Sequence, residues 1–412
     1  MIDLNKNKTF CILPWVHLNT WPNGNVYQCC ITDHTGNCGT TTTHTLEEIW
    51  NNDYMKDLRV SLMAGEKHSS CRRCYMLEET GLDSFRSNIN AQFAAHIPAV
   101  DVDTSPDGHN SNFKLAYWDF RFSNICNLKC RMCGSGLSSS WADDHKKMLE
   151  MQGIDMDVPK IVHINANSKE DFGRYIVEFI DIVEEIYFAG GEPLLMEEHY
   201  FILDELIKRG RTNVRLRYNT NLSKLKYKQW DVLNYWKQFS NIKAYASVDA
   251  VDNLAEYIRS GTNWPVLSKN ISSVVAFNKN MLGINITLQI LNVFQLPKLL
   301  DYLLTSGMNF YDIMISNILS HPAYYSVQIL PDHLKDLAIT NLCNYLSTLP
   351  EHIQHYFASQ VSGVTEFMYS ELENKDQHRS KFKMMITMLD GFRNEDFYKE
   401  CPELAEWFTS IT

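Results

Sequence analysis

Apolar residues recur along this chain with two periods, and the pattern changes near residue 113. Before it, short extended runs at 11–15 and 24–30 precede a helical pattern over 46–63, where Leu46, Ile49, Trp50, Met55, Leu58 and Leu62 recur at helical spacing. A second helix is expected over 75–95. Residues 98–112 are rich in breakers, with Thr104-Ser105-Pro106-Asp107-Gly108 at their centre, and read as a linker. From 113 to 318, β-rich runs at 114–122, 185–189, 213–219, 242–249, 283–290 and 311–317 alternate with amphipathic stretches at 197–209, 227–239, 265–278 and 296–306. Six strands alternating with helices imply parallel pairing through right-handed crossovers, and six units fall short of the eight that close a full barrel. The expected fold is therefore α/β. A partial (β/α)6 barrel at 113–318 follows a small N-terminal α+β module at 1–97 and a linker at 98–112. A helical extension at 319–412 ends the chain, its first helix near 331–349. The excursion at 135–184 leaves room for two helices and a loop.

Composition narrows the class. With 412 residues, 45% apolar and 21% charged, the chain is neither disordered nor a disulfide miniprotein. No run of 18 apolar residues is present, so no helical membrane span is expected. The opening Met1-Ile2-Asp3-Leu4-Asn5-Lys6 lacks an export signal, and the protein is expected to be cytoplasmic. A net charge of −11 disfavours nucleic acid and anionic membrane as partners. Eleven cysteines change the picture more. Cys11, Cys29, Cys30, Cys38, Cys71 and Cys74 crowd the first 74 residues, Cys126, Cys130 and Cys133 form a second knot, and Cys343 and Cys401 lie far beyond. Clustered cysteines without an export signal read as metal ligands or redox centres.

Cys126-Asn127-Leu128-Lys129-Cys130-Arg131-Met132-Cys133 follows the first barrel strand, where parallel α/β folds place their ligand loops. Three thiolates at this spacing hold an iron–sulfur cube and leave the fourth iron open. Zinc is the alternative, but it takes four ligands and no fourth is near. The second strand ends in Phe188-Ala189-Gly190-Gly191-Glu192-Pro193, whose glycines let backbone approach a ligand and whose carbonyls and Glu192 offer acceptors for an ammonium group.

On these residues, in this order, 113–318 resembles the radical S-adenosylmethionine (SAM) enzymes, and the barrel would be of the radical SAM type. Tyr218-Asn219-Thr220-Asn221, Ala246-Ser247-Val248-Asp249 and Tyr257-Ile258-Arg259-Ser260-Gly261 are similar to lesser family segments. Met132 replaces the usual aromatic residue, and Leu222 stands where glycine is usual. The resemblance implies a [4Fe–4S] cluster on Cys126, Cys130 and Cys133, with SAM chelated at the open iron. Gly190, Gly191, Glu192, Thr220, Ser247, Asp249 and Arg259 would contact that cofactor. An electron from a donor such as flavodoxin or ferredoxin would cleave SAM to a 5′-deoxyadenosyl radical, which takes hydrogen from substrate. No residue stands out as a catalytic acid, base or hydrogen donor.

Cys11 precedes Gly24 by twelve intervening residues, four more lead to Cys29, and Cys71-x-x-Cys74 follows. This is similar to the twitch or SPASM auxiliary modules, here placed ahead of the barrel. It implies a second, auxiliary [4Fe–4S] cluster on Cys11, Cys29, Cys71 and Cys74. Zinc suits four thiolates as well. Cys30 is the alternative to Cys29, since neighbours on a strand face opposite ways. Cys38 reads as a bystander, and Cys343 and Cys401 as small buried side chains. The eight basic residues from Lys208 to Lys228 read as a solvated face or a site for an anionic partner. His321-Pro322 and Tyr324-Tyr325 follow the last strand near the mouth. Such modules accompany enzymes acting on peptides or proteins, so a peptide or protein substrate is expected. Chemistry on a small metabolite, nucleoside or sugar is one alternative; a non-catalytic iron–sulfur electron carrier or scaffold is another.

Overall fold

The N-terminal module gives its first strand to the sheet that also holds the first barrel strand. The computed structural model describes residues 2–32, 38–79, 83–169 and 172–412. Leu13–Trp15 forms a 3-10 turn, not the extended run expected at 11–15, because Pro14 starts it. β1 (His17–Thr20) and β2 (Asn25–Tyr27) then pair antiparallel, and β2 pairs with β3 (Gly39–Thr40). β1 also pairs in parallel with β4 (Tyr117–Phe120), His17 opposite Tyr117 and Thr20 opposite Phe120.

The helix expected over 46–63 is two helices. α1 (Leu46–Trp50) starts at a capping box made by Thr45 and Glu48, and Asn52 caps α2 (Asp53–Ala64) by accepting from Met55 N. Likewise α3 (Arg72–Glu79) and α4 (Phe85–Gln92) replace the single helix over 75–95, of which 80–82 lie outside the described residues. The expected linker is half helical. Pro98 sits in the first turn of α5 (Ile97–Asp103), where its missing N–H costs nothing, and only the stretch after Asp103 is irregular.

After β4 and β5 (Lys129–Cys130), the long excursion holds three helices, α6 (Ala142–Met151), α7 (Ile164–Asn167) and α8 (Phe172–Phe179). β6 (Glu185–Phe188), α9 (Glu197–Lys208) and β7 (Arg215–Thr220) follow. Where a helix was expected over 227–239, a hairpin of β8 (Lys226–Tyr227) and β9 (Trp230–Asp231) turns at Lys228, φ 50°, before the short α10 (Val232–Trp236). Then come β10 (Ile242–Ser247), α11 (Asp252–Ile258), β11 (Arg259–Ser260), α12 (Trp264–Asn278), β12 (Leu282–Asn285), α13 (Leu296–Thr305) and β13 (Ile313–Met314). The extension is helical as expected: α14 (Asp332–Leu346), α15 (Glu351–Tyr369), α16 (Lys375–Arg393), α17 (Phe397–Glu400) and α18 (Ala405–Ser410). The six expected strands are β4, β6, β7, β10, β12 and β13, and the α/β partial barrel stands.

Contacts divide the chain into two units along other lines than the expected bounds. One gathers 1–125, 161–217 and 235–242; the other gathers 126–160, 218–234 and 243–412. In the first, the strand order is β6-β4-β1-β2-β3, with β4 and β6 parallel. Phe120 meets Phe172 of α8 edge-on at 5.0 Å, and Trp118 and Phe120 are buried. Each such ring contributes roughly 1.5–3 kcal/mol by leaving water. In the second, β10, β12 and β13 pair in parallel, β5 pairs antiparallel with β11, and Tyr325, Phe382, Phe397 and Phe408 form an aromatic core under the extension. Among the described residues, no helix is long and apolar enough to cross a membrane.

Two buried imidazoles couple the first unit to pH. His17 stacks on Tyr117 at 4.4 Å and donates from Nδ1 to Tyr117 O at 3.0 Å; burial pulls its pKa down to about 4. His199, against Phe188 and Tyr200, is pulled down to about 3 by the same cause. Both are neutral when folded, so between about pH 6.5 and 4 the unfolded chain binds more protons. Stability should be full above about pH 6.5 and fall with acid by up to about 1.4 kcal/mol per pH unit for each histidine. Urea midpoints measured across that range should fall less steeply for His199→Phe; an unchanged slope would remove His199 from this account.

Candidate metal centres

Backbone pairing sets the loop of Cys126, Cys130 and Cys133. β5 lies antiparallel to β11 with Cys130 opposite Arg259, and Arg131 N donates to Ile258 O at 2.9 Å. The serines that follow stitch the loop closed. Cys126 N donates to Ser139 Oγ at 3.2 Å, Ser140 Oγ donates to Cys126 O at 2.8 Å, and Trp141 Nε1 donates to Cys130 O at 2.8 Å. Two of the sulfurs face N–H donors: Asn221 Nδ2 lies 3.8 Å from Cys126 Sγ, and Arg259 Nη1 lies 3.6 Å from Cys130 Sγ. Such donors favour the thiolate. Burial acts the other way and holds the Cys130 thiol up and the Cys133 thiol at about 12, while Arg259 lowers both.

Arg131, between the second and third cysteines, is fully buried. Its guanidinium lies over the Tyr257 ring at 3.7 Å, donates from Nε to Tyr257 O at 3.0 Å, and pairs with Asp390 and Glu395 at the end of α16. Tyr257 Oη donates to the same Asp390 at 3.0 Å. Close by, Arg393 bridges to Asp144 at 2.8 Å and covers the Trp141 ring at 4.7 Å. Arg131 stands inside the cysteine motif and could have been singled out as a charge needing a partner. Asp390 and Glu395, some 260 residues later, carry no sequence signal of this role.

The expected cofactor contacts have partners of their own. Asp249 accepts from Arg259 Nε and from Thr287 N, each at 2.8 Å. Thr220 Oγ1 accepts from Leu222 N at 2.9 Å. Leu222 has φ 52°, the left-handed region that explains why glycine is usual there; this chain holds a buried leucine in it instead. Ser247 ends β10, half-buried and opposite Asn285. In the first unit, Gly190 (φ 78°) and Gly191 (φ 47°) turn against the chain itself. A Cβ on Gly190 would sit 2.8 Å from Arg121 Cβ, and one on Gly191 only 2.4 Å from Ile125 O. Glu192 N donates to Ile125 O at 2.7 Å, and its carboxylate caps the next turn by accepting from Leu194 N at 3.1 Å. The glycines thus clear room for the segment from Arg121 to Ile125 that follows β4.

Cys11, Cys29, Cys71 and Cys74 line one cavity in the first unit, with Leu13, Leu58 and Arg86 among its other walls. Cys30 is not among them; its thiol feels Asp119, Arg121 and Arg217 instead. Cys38 is buried 3.7 Å from Gln28 Oε1 and outside that cavity. Burial, with the thiols' own mutual proximity, raises Cys11 and Cys29, and holds Cys71 at about 11. Among the described residues no three His, Cys, Asp or Glu are placed to hold a single ion. Four thiols spread around a shared cavity are a donor set that fits a four-iron cluster.

The remaining candidates resolve simply. Lys208, Arg209, Arg215, Arg217 and Lys226 of the basic run pair with Glu205, Asp181, Glu185 and Asp231, the solvated-face reading. Cys401 is buried, but Cys343 is exposed on α14, contrary to expectation, because its neighbour Leu342 takes the inward position. Tyr325 is buried against Phe382 and lines no mouth.

Residues 120–314 match the family model of the Radical SAM superfamily, and residues 11–75 match that of an iron–sulfur cluster-binding domain, SPASM. The first works with a [4Fe–4S] cluster and SAM; the second holds an auxiliary iron–sulfur cluster. Similar solved structures are three of Streptococcus suis SuiB. With the precursor peptide SuiA bound, identity is 14% and TM-score 0.34, covering 74% of this chain and 64% of that one. With SAM bound the values are 13%, 0.34, 74% and 62%, and for SuiB alone 15%, 0.34, 74% and 62%. This chain thus spans a little under two thirds of those chains. No curated protein matches it.

Reconstituted protein should hold about eight irons in two clusters. Cys29→Ser should lose the module's half by iron assay and Cys30→Ser none; equal losses would break the assignment of Cys29. Arg131→Met takes the cation from two half-buried carboxylates, of which Asp390 keeps Tyr257 Oη and Phe397 N as donors, and should cost about 2–3 kcal/mol in urea unfolding. A loss below about 1 kcal/mol would mean the C-terminal carboxylates do not depend on Arg131.

Proposed function

The chain belongs to the radical SAM superfamily and carries a SPASM module ahead of its barrel, and from that premise we propose that it modifies a peptide or protein by hydrogen abstraction. When bound, a [4Fe–4S] cluster with SAM supplies a carbon radical that takes a hydrogen atom from the substrate. The chain's own residues hold and orient. Cys126, Cys130 and Cys133 are the cluster thiolates, and Asn221 and Arg259 donate N–H to the first two sulfurs. Asp249 fixes Arg259 in that position from the end of β10. Thr220 and Ser247 would supply further cofactor contacts from the same unit. Cys11, Cys29, Cys71 and Cys74 would hold the second cluster, which would serve electron relay or support of the substrate site.

The observation that carries this reading is the pair of N–H donors aimed at two sulfurs of a three-cysteine loop. A structural zinc site wants four protein ligands, whereas this loop offers three thiols and leaves one position for a cofactor, with the N–H donors favouring the thiolate form. The peptide substrate is supported by the module, whose kind accompanies radical enzymes acting on peptides and proteins. This step is analogy with the family.

Anaerobic reconstitution, one-electron reduction and a screen of peptides and small metabolites should give 5′-deoxyadenosine release that rises with a peptide. Release that rises with a metabolite and with no peptide would overturn the substrate class. With Cys71 and Cys74 both changed to serine, SAM cleavage should persist while peptide product disappears. Full product formation in that variant would remove the auxiliary cluster from the reaction.

A further inference from the structure

Electrons must reach the loop of Cys126, Cys130 and Cys133 from outside, and the second unit holds one surface shaped for that delivery. A groove of about 650 Å³ opens between α6 and α16. Five methionines line it, Met148, Met151, Met384, Met385 and Met388, together with Tyr324. Met151 and Met384 are exposed large apolar side chains. Flexible, polarizable methionines at a surface suit a contact that forms and releases. The only charged residues lining the groove, among those described, are Lys381 and Lys383, and no carboxylate lines it. That is a local reversal of sign on a chain of net charge −11. Lys381 lies 5.3 Å over the Tyr324 ring, and Lys383 holds Ile411 O.

The floor of the groove touches the cluster loop. Met385, Leu389 and Trp141 form one buried core, against which Met148, Tyr324, Met388 and Cys133 all pack. A partner seated on the methionines is therefore separated from the Cys133 sulfur by a layer of side chains about one residue deep. An apolar floor with a cationic rim fits a small redox protein whose exposed redox group is apolar and ringed by carboxylates. A flavodoxin has this chemistry: the edge of its flavin meets the methionines, and its acidic rim meets Lys381 and Lys383.

We propose that the methionine groove between α6 and α16 is the docking surface for an acidic flavodoxin that reduces the cluster held by Cys126, Cys130 and Cys133. The step is a single electron transfer: the anionic flavin hydroquinone is oxidised to the neutral semiquinone, the cluster is reduced by one electron, and no proton is released. It rests on the radical enzyme reading, and the test keeps the two apart.

Oxidised flavodoxin is titrated into the reconstituted protein by calorimetry at low and high salt, and cluster reduction is followed by EPR with flavodoxin hydroquinone or with dithionite. The variant is Lys381→Glu with Met384→Glu, two exposed positions outside the cluster machinery. Flavodoxin should bind with salt-sensitive affinity, and the variant should weaken binding and slow flavodoxin-driven reduction by about tenfold or more, while dithionite-driven reduction and SAM cleavage stay unchanged. Unchanged flavodoxin binding and rate in the variant would overturn the proposal. So would a variant that keeps its flavodoxin rate but loses binding of the substrate peptide, or loses only self-association, since the groove would then serve another occupant. Failure of dithionite to give a reducible cluster in the unaltered protein would instead overturn the radical enzyme reading itself.

Discussion

A buried guanidinium sits in the middle of the cysteine loop, and the second unit is arranged around it. Arg131 cannot lose its charge, and taking it out of water costs several kcal/mol unless anions and hydrogen bonds surround it. Asp390, Glu395, the Tyr257 ring and the Tyr257 carbonyl do so. Because two of those four come from the end of α16, the extension cannot detach from the loop without stranding a buried charge. The thiols of Cys130, next to Arg131, and Cys133, two residues beyond it, inherit their placement from that constraint. The helical extension is thus tied to the cysteine loop.

In the first unit a different constraint dominates. A parallel strand pair cannot be joined by a tight turn, so β1 and β4 need a long crossover between them. The cysteine module supplies it: the chain leaves β1, adds Cys29, Cys71 and Cys74 to the cavity that Cys11 also lines, and returns as β4. This explains how the module can stand ahead of the barrel and still be integral to its sheet. The strand β1 buries His17, Asn19 and Thr20 only because β4 covers them in register.

How much of this was legible from residues alone follows the range of each interaction. The six barrel strands and the helical extension carry local or motif-level signals, and they appear where expected. Spacing brought Cys29, not Cys30, into the quartet that lines the cavity. The failures are tertiary. A strand-like run at 11–15 became a turn because Pro14 suits one, and the hairpin after β7 interrupted a helical pattern through a left-handed Lys228. The pairing of β1 with β4 spans 100 residues, and that of Arg131 with Asp390 spans 259, beyond any periodicity. Asn221 was visible as part of a resembling segment, yet its amide's aim at Cys126 depends on a turn forced by Leu222.

The two cysteine sets also differ in what charge their surroundings accept. At Cys130, a guanidinium in contact with the sulfur offsets burial, and Asp249 keeps that guanidinium in place. A cluster there can carry negative charge and change it by one electron against a nearby positive group. In the module, burial and neighbouring thiols push Cys11 and Cys29 up together, and Arg86, whose own partner is Glu78, opposes that rise at Cys11. Four thiolates with so little cationic support need metal to neutralise them, since each can deprotonate in that cavity only as iron takes its proton's place. The loop therefore sets a guanidinium beside one of its sulfurs, and the module would leave neutralisation of its thiolates to the metal itself.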